Sequence, residues 1–344
     1  MPNRPSKMSD VARRASVHVA TVSRALRDDP RITLAQRVKI RQAAAELGYR
    51  PNPLVAALMS ARRAGHHPAY QATFAYVTKY PPERAAWFAR EFGQLQAGAR
   101  ERALAQGYAL EEFNVHDPAL TARRVTEILH ARNIHGLLVA PLHSVHDTVE
   151  LDWTQFCAVA VGYSLSHVAI SRVAHDHFNG LLIASRHCRA AGRRRPGLVL
   201  QRRVHEKVEK RWVAAALLDQ SEQAAATRVP PLLLDGLEAG QFSAWFRRHR
   251  PDVVLGVDIA VILGWLKDLG CAVPEDVGVV SLDRRPHDRG IAGIHQDYAG
   301  FGANAVDLLV GMTQRNERGL PARAFTVLLD GAWRDGRTLA AQDS

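Results

Sequence analysis

The chain has 344 residues, 47% hydrophobic and 23% charged, an ordinary globular balance long enough for two or three buried cores. Its formal net charge of +11 is uneven: residues 1–65 hold 13 Lys+Arg against 4 Asp+Glu, so the first fifth carries +9 and the remainder +2. No apolar run approaches the roughly 18 residues of a membrane span, the opening MPNRPSKMSD lacks the apolar core of an export signal, and Cys157, Cys188 and Cys271 show no CxxC spacing, so the expectation is a cytoplasmic protein with reduced thiols.

Taken in chain order, the apolar positions Val11, Ala12, Ala15, Val17, Val22, Ala25 and Leu26 predict two short helices joined by a tight turn around residues 15–17, the second running over about 19–26. A third helix is expected from Thr33. Thr33 and Gln36 have the spacing of a capping box, Val38, Ile40, Ala43, Ala44 and Leu47 recur at helical spacing, and Gly48 supplies a stop. Three helices of this size bearing most of the positive charge suggest a head that binds a polyanion.

The strings DVARRASVHVATVSRAL and ELGYRPN resemble the DNA-binding head of the lactose/galactose repressor family. The resemblance implies that the second helix enters the major groove. Val19 and Ala20 then occupy the base-discriminating positions, and Arg24 that of an arginine reading a guanine edge. An arginine fork meets guanine O6 and N7 bidentately, and small apolar groups touch a thymine methyl. Thr21, Ser23, Arg27, Arg31 and Tyr49 match positions that hold phosphates and set register. His18 departs from the usual Ser or Thr that caps the recognition helix and touches phosphate, and Ser16 from the usual Gly or Asn of the turn.

Asn52-Pro53 followed by Leu54, Val55, Ala56, Ala57, Leu58 and Met59 predicts a short helix over 52–63, too short to stand alone in water. By the resemblance this is a hinge helix that pairs with its counterpart in the minor groove, Leu58 being the wedge that opens a central base step. Residues 1–51 are thus expected to form the head, 52–63 the hinge and 64–71 a linker.

From residue 72 onward short apolar runs alternate with helical stretches: strands are predicted at 73–78, 136–140, 159–162, 197–200, 253–257 and 277–281, and helices over, among others, 91–106 and 121–132. Neither a GxGxxG, a phosphate loop, a GxSxG nor an HExxH occurs, so no cofactor, metal or catalytic function is expected. HARNIHGLLVAP, RAAGRRRPGLVL, VPEDVGVVSLD and IAGIHQD resemble strings of the same family's effector domain. The fold implied is α/β, two-lobed and periplasmic-binding-protein-like, with parallel sheets over 72–339. The first lobe would comprise 72–162 and 294–324, the second 163–293 and 325–339, with crossings near Gly162, Gly293 and Phe325.

The resemblance places Arg211, Asp283 and Asp258 in the cleft between the lobes, where a guanidinium and two carboxylates would hold a hydroxyl-rich metabolite. Trp87, Phe88, His205 and Lys207 are further candidates for the wall. His175-Asp176 stands where the family often has Asp-Asn, Leu282 replaces a common aromatic next to Asp283, and 201–210 is unusually charged for a pocket wall. His175 and His177 lack a third partner for a metal and read as a polar loop.

The function implied is a transcription regulator, most simply a repressor, binding pseudo-palindromic operator DNA as a homodimer or a tetramer built from it. A sugar-like effector would set its affinity. The other classes considered are a periplasmic-type small-molecule binding protein and an α/β enzyme. The basic head opposes the first, and the lack of a nucleophile–base pair or cofactor loop opposes the second.

Overall fold

A computed structural model describes residues 8–26, 32–47, 49, 72–286 and 288–340. The expected stop at Gly48, Arg27, Arg31, the hinge with Leu58, and the linker lie outside the described residues, as do the side chains of Ala20 and Ser23. The chain divides into two units, one up to Gln71 and one from Ala72.

The first unit is built on three helices, α1 (Met8–Ala15), α2 (Val19–Ala25) and α3 (Leu34–Glu46). Their inward faces are the small residues read from the pattern. Val11, Ala12 and Ala15 of α1, Val22 and Ala25 of α2, and Ile40, Ala43 and Ala44 of α3 make one core, closed by Ile32. Alanines let the helices approach closely, so much of the apolar gain rests on Ile40 and the two valines, at roughly 1.5–3 kcal/mol for each large side chain buried. The turn between α1 and α2 holds Ser16 in the left-handed region (φ 57) and returns the Val17 amide to the Ala12 carbonyl at 3.0 Å. That backbone explains the family's preference for Gly or Asn here. At the start of α3 the Thr33 hydroxyl accepts from the Gln36 amide at 3.3 Å, the expected cap.

The second unit contains two six-stranded sheets. The first uses β1 (Ala72–Thr78), β2 (Tyr108–Asn114), β3 (Gly136–Val139), β4 (Cys157–Val161), β5 (Arg172–His175) and β11 (Thr326–Leu329), in the order β11-β5-β4-β3-β1-β2, all parallel. The second uses β6 (Pro196–Gln201), β7 (Leu232–Leu234), β8 (Val253–Gly256), β9 (Gly278–Arg284), β10 (Ala292–His295) and β12 (Ala332–Arg334), in the order β12-β10-β9-β8-β6-β7. Only β12 runs antiparallel, on the edge beside β10. The helices that matter below are α4 (Ala85–Ala105), α5 (Ala122–Ala131), α6 (His177–Ala190), α7 (Arg202–Lys207), α8 (Arg211–Ser221), α9 (Ala239–His249), α10 (Ile259–Asp268) and α11 (Tyr298–Gln314). The central strands β3, β4, β6 and β8 are buried along their whole length, which is why they read as unbroken apolar runs.

The sheets correct the expected lobe boundaries. Chain crossings occur between β5 and α6 at Asp176, between β10 and α11 at Gln296-Asp297, and between β11 and β12 at Asp330-Gly331. Gly162 instead follows β4 inside the first lobe, Gly293 pairs with Ser281 and Arg334 inside the second sheet, and Phe325 leads into β11 of the first. The first lobe is therefore 72–175 with 298–329, the second 177–295 with 332–340. The misreading has a local cause. Gly162 ends an apolar strand convincingly, while β5, four residues beginning with Arg172, shows no pattern of its own and is fixed by pairing with β4 and β11.

In the first lobe α4 and α11 pack backbone to backbone. A Cβ on Gly98 would lie 2.2 Å from the Ala299 carbonyl oxygen, and one on Gly302 2.1 Å from that of Leu95. This contact sets Glu91, Phe92 and Leu95 of α4 beside Tyr298 and Phe301 of α11.

Candidate functional site

On the head, packing decides which face of α2 is outward. Val22 and Ala25 are wholly buried, whereas His18, Val19 and Arg24 are exposed and Thr21 is partly so. Val19 is 39% exposed despite its apolar side chain. The His18 carbonyl accepts from the amides of Thr21 at 2.9 Å and Val22 at 3.2 Å, so His18 occupies the cap position of α2. Tyr49 leans on the head core, its amide bonded to the Ala44 carbonyl at 2.8 Å, and desolvation raises its hydroxyl pKa. Arg14 is tied to Glu46 at 2.8 Å and Arg13 to Asp10 at 3.6 Å, both exposed pairs. Outward Val19, Thr21 and Arg24 on one short helix can meet base edges and phosphates together, as a groove-reading helix must.

On the body, a cleft of about 500 Å³ opens between the two lobes. Its first-lobe wall is Trp87, Glu91, Phe92 and Leu95 of α4 with Tyr298 and Phe301 of α11. The second-lobe wall comes from α7, the start of α8 and the ends of β8 and β9. Both walls therefore stand at the carboxyl ends of parallel strands, the usual place for a ligand in such sheets.

A polar knot lies at its centre. Asp283 Oδ2 accepts from Arg285 Nη2 at 2.7 Å and from the Tyr298 hydroxyl at 2.9 Å, while Arg285 Nη1 donates to the Glu91 carbonyl at 2.6 Å. The Arg285 guanidinium also stacks over the Tyr298 ring at 4.1 Å. Burial and the neighbouring Asp283 push the Tyr298 hydroxyl well above its ordinary pKa, so it remains a donor. Beside the knot His175 and His177 meet edge to face at 4.9 Å, and His177 meets Trp212 at 4.8 Å. Desolvation lowers the pKa of both imidazoles, that of His177 well below its ordinary value, with the neighbouring His175 acting on it in the same direction. His175 Nδ1 donates to the Leu329 carbonyl at 3.1 Å, which ties the first chain crossing to the third. Several buried atoms on this lining have no protein hydrogen-bond partner: Tyr163 Oη, His175 Nε2, His177 Nδ1, Trp212 Nε1 and Asp283 Oδ1. That mixture of donors and acceptors suits a ligand rich in hydroxyls.

Of the expected cleft residues, Asp283, Asp258, Trp87 and Lys207 line it. Asp258 precedes α10 and accepts from Gln201 Nε2 at 2.9 Å. Arg211, Phe88 and His205 are not on the lining. The Arg211 guanidinium lies 4.5 Å over the Tyr163 ring and bonds Glu209 at 2.9 Å. Phe88 stacks on Tyr80 at 4.5 Å, and His205 is buried within α7. The guanidinium groups on the lining are those of Arg90, Arg203 and Arg285, and of these Arg285 holds Asp283. Leu282 is absent from the wall because strand alternation turns it into the core of the second lobe. Asp176 is the N-cap of α6, its carboxylate accepting from the Asn179 amide at 2.9 Å. Among the described residues no three His, Cys, Asp or Glu side chains assemble as metal ligands. Sequence reading missed Arg285, Tyr298, Tyr163 and Trp212. The signals available were the polar end of SLDRR and the aromatic following IHQD.

Residues 7–52 match the family described as bacterial regulatory proteins, lacI family, and residues 185–331 match the periplasmic binding protein-like domain. The sucrose operon repressor of Vibrio alginolyticus is 47% identical over 47 residues, a stretch covering 14% of this chain and 50% of that protein. The match thus spans half the length of that curated relative. Among solved structures, the lac repressor dimer bound to operator and the anti-inducer ONPF superimposes with a TM-score of 0.57 at 19% identity, covering 98% of this chain and all of the other. The complex of the transcriptional regulator CelR with cellobiose does so with a TM-score of 0.56 at 17% identity, covering 97% and 99%. At these identities the structural likeness establishes a shared fold.

Proposed function

We propose that this chain, whose residues 7–52 match the lacI family of bacterial regulatory proteins and residues 185–331 the periplasmic binding protein-like domain, is a sequence-specific repressor of that family whose operator affinity is set by a sugar-like metabolite in the interlobe cleft. The single observation that carries the reading is the outward face of α2. It presents Val19 and Arg24 from an amino-terminal stretch, residues 1–65, that holds +9 of the chain's charge, and both lie within residues 7–52, which match the lacI family. Arg24 and Val19, with Ala20, read bases. His18, Thr21, Ser23, Arg27, Arg31 and Tyr49 hold phosphates, and Leu58 of the hinge opens a base step. A homodimer presents two heads to a pseudo-palindromic site. The body binds and responds; it does no chemistry on its ligand. The place of action is the cytoplasm, at nucleoid DNA. Asp283, Asp258 and Trp87 contact the effector, with Arg285 taking the part expected of Arg211.

The coupling is a linkage. Whatever factor the effector removes from operator affinity, the operator removes from effector affinity. A gel shift against fragments of the host genome, with salt titration, tests the core of the proposal. Several phosphate contacts require a steep fall of affinity with salt, with log–log slope near −0.9 per contact. A periplasmic-type binding protein gives no retarded fragment, and that outcome removes the reading.

A further inference from the structure

We infer that the ligand of the interlobe cleft is a hydroxylated anion, a sugar acid or a sugar phosphate, whose charged group pairs with Lys207. The inference rests on the cleft being the effector site and names the chemical class of that effector.

The cleft's carboxylates are already occupied by protein donors. Glu91 pairs with Arg90 at 3.1 Å, Asp283 with Arg285 at 2.7 Å and Tyr298 at 2.9 Å, and Asp258 with Gln201 at 2.9 Å, while Asp288 accepts from the Arg285 amide at 2.8 Å. The cations divide differently. Arg90 and Arg285 are those same partners, and Arg203 bonds the neutral Gln201 Oε1 at 2.9 Å. Lys207 forms neither a hydrogen bond nor an ion pair with the described residues; its ammonium sits 5.8 Å above the Phe92 ring. The lining therefore carries an ammonium that no carboxylate pairs with directly, among carboxylates that each already hold a protein donor, with Asp147 and Asp283 acting on it only through space.

Position gives this charge its meaning. Lys207 ends α7 of the second lobe, and Phe92 belongs to α4 of the first, so an anion at the ammonium touches both walls. Desolvation brings the Lys207 pKa down to about 8, with Arg203 and Arg285 acting in the same direction and Asp147 and Asp283 opposing them. An ammonium so placed has more to gain from a bound anion than one in water, because it is desolvated before the ligand arrives. The rest of the ligand is specified by the neighbours. Tyr163 Oη, Trp212 Nε1 and Asp283 Oδ1 lack protein partners and can serve hydroxyls, while Trp87 and Phe92 supply an apolar side. A neutral sugar would satisfy the hydroxyl partners and leave Lys207 unpaired. An inorganic anion would do the reverse.

The test is calorimetry on the full chain with matched triples: glucose, glucuronate and glucose 6-phosphate, and the galacto and manno counterparts. At least one uronate or phosphate is expected to bind about tenfold or more tightly than its neutral parent, as a charge-assisted bond of this kind provides. The arm that binds identifies carboxylate or phosphate as the charged group. K207Q is expected to reduce the preference to near parity, and K207R, which keeps the charge, to retain it. Neutral hexoses binding as tightly as their charged counterparts, a preference that survives K207Q, or no charged sugar binding at all would each overturn the inference. The reading of the cleft as the effector site fails separately. If a sugar anion binds in a Lys207-dependent manner yet leaves operator retardation unchanged in a gel shift, that reading falls and the anion site stands.

Discussion

The Tyr298 hydroxyl, on the first residue of the helix that re-enters the first lobe, donates 2.9 Å to Asp283, near the end of a strand of the second. Arg285 repeats the bridge in the other direction, holding Asp283 with one nitrogen and the Glu91 carbonyl of the first lobe with another. The two contacts predict unequal costs. Asp283→Asn leaves a guanidinium that is only 16% exposed short of its main counter-charge, and about 3 kcal/mol should be lost. Tyr298→Phe removes one hydrogen bond and keeps the ion pair, at about 1 kcal/mol. Urea denaturation of the two variants reads the difference, and equal losses would show that the ion pair is not what holds the knot.

The α4–α11 contact makes a prediction of sign. Alanine is the better helix former by about 1 kcal/mol, so glycine in a helix is ordinarily a defect. At Gly302 the added methyl would fall 2.1 Å from a backbone oxygen that cannot move alone, so Gly302→Ala should destabilise by about 1–3 kcal/mol or more. Gly264 of α10 has nothing within 4 Å of the same methyl, and Gly264→Ala should stabilise by about 0.5–1 kcal/mol. Thermal melts of the pair should move in opposite directions.

Burial of the two cleft histidines fixes a pH dependence. Desolvation keeps His175 and His177 neutral in the folded protein at pH values where the unfolded chain, with a histidine pKa near 6.5, binds protons. The unfolded state therefore takes up more protons below about pH 6.5. Stability is fully present above that value and declines as pH falls towards the depressed folded values, at up to about 1.4 kcal/mol per pH unit for each such group. The melting temperature should be level from pH 7 to 8 and drop from pH 6.5 to 5. His135, held down to about 4 by burial with Arg318 and His130 adding to it, acts with the same sign, so the informative quantity is a difference. His177→Gln should make the acid-side slope shallower, and an unchanged slope would assign the loss elsewhere.

How much of this could be read in advance follows from where the signal lies. The head was legible because Val11, Val22 and Ile40 recur with other small apolar residues at helical spacing, because the excess charge falls on residues 1–65, and above all because strings such as DVARRASVHVATVSRAL resemble a known DNA-binding head. The central strands were legible because burial on both faces leaves only apolar residues. Strands β5, β7, β10, β11 and β12 were not, because three or four residues such as RVAH or LLL carry no period, and nor was β2, an edge strand whose YALEEFN is buried at only two positions; their pairing partners make them strands. The cleft was half legible. Asp283 was reached through the resemblance and Lys207 was one of several wall candidates, but Arg285 and Tyr298 become functional through one hydrogen-bonded knot between two lobes, a relationship with no trace in local spacing.

The proposed groove reader yields the sharpest contrast. Arg24 and Arg14 are both exposed arginines of the head, and composition cannot tell them apart. Packing can: Arg14 lies on α1 and is occupied by Glu46 at 2.8 Å, whereas Arg24 shares the outward side of α2 with Val19. If α2 enters the major groove, Arg24→Ala should cost about 1–3 kcal/mol in discrimination between the operator and random duplex. Arg14→Ala, losing a solvent-exposed pair, should cost at most about 1 kcal/mol of head stability and leave discrimination intact. Competition gel shifts against random-sequence duplex measure both quantities at fixed salt, where the non-specific electrostatic contribution is held constant. An Arg24→Ala protein that still prefers its operator as strongly as before would take α2 out of the groove.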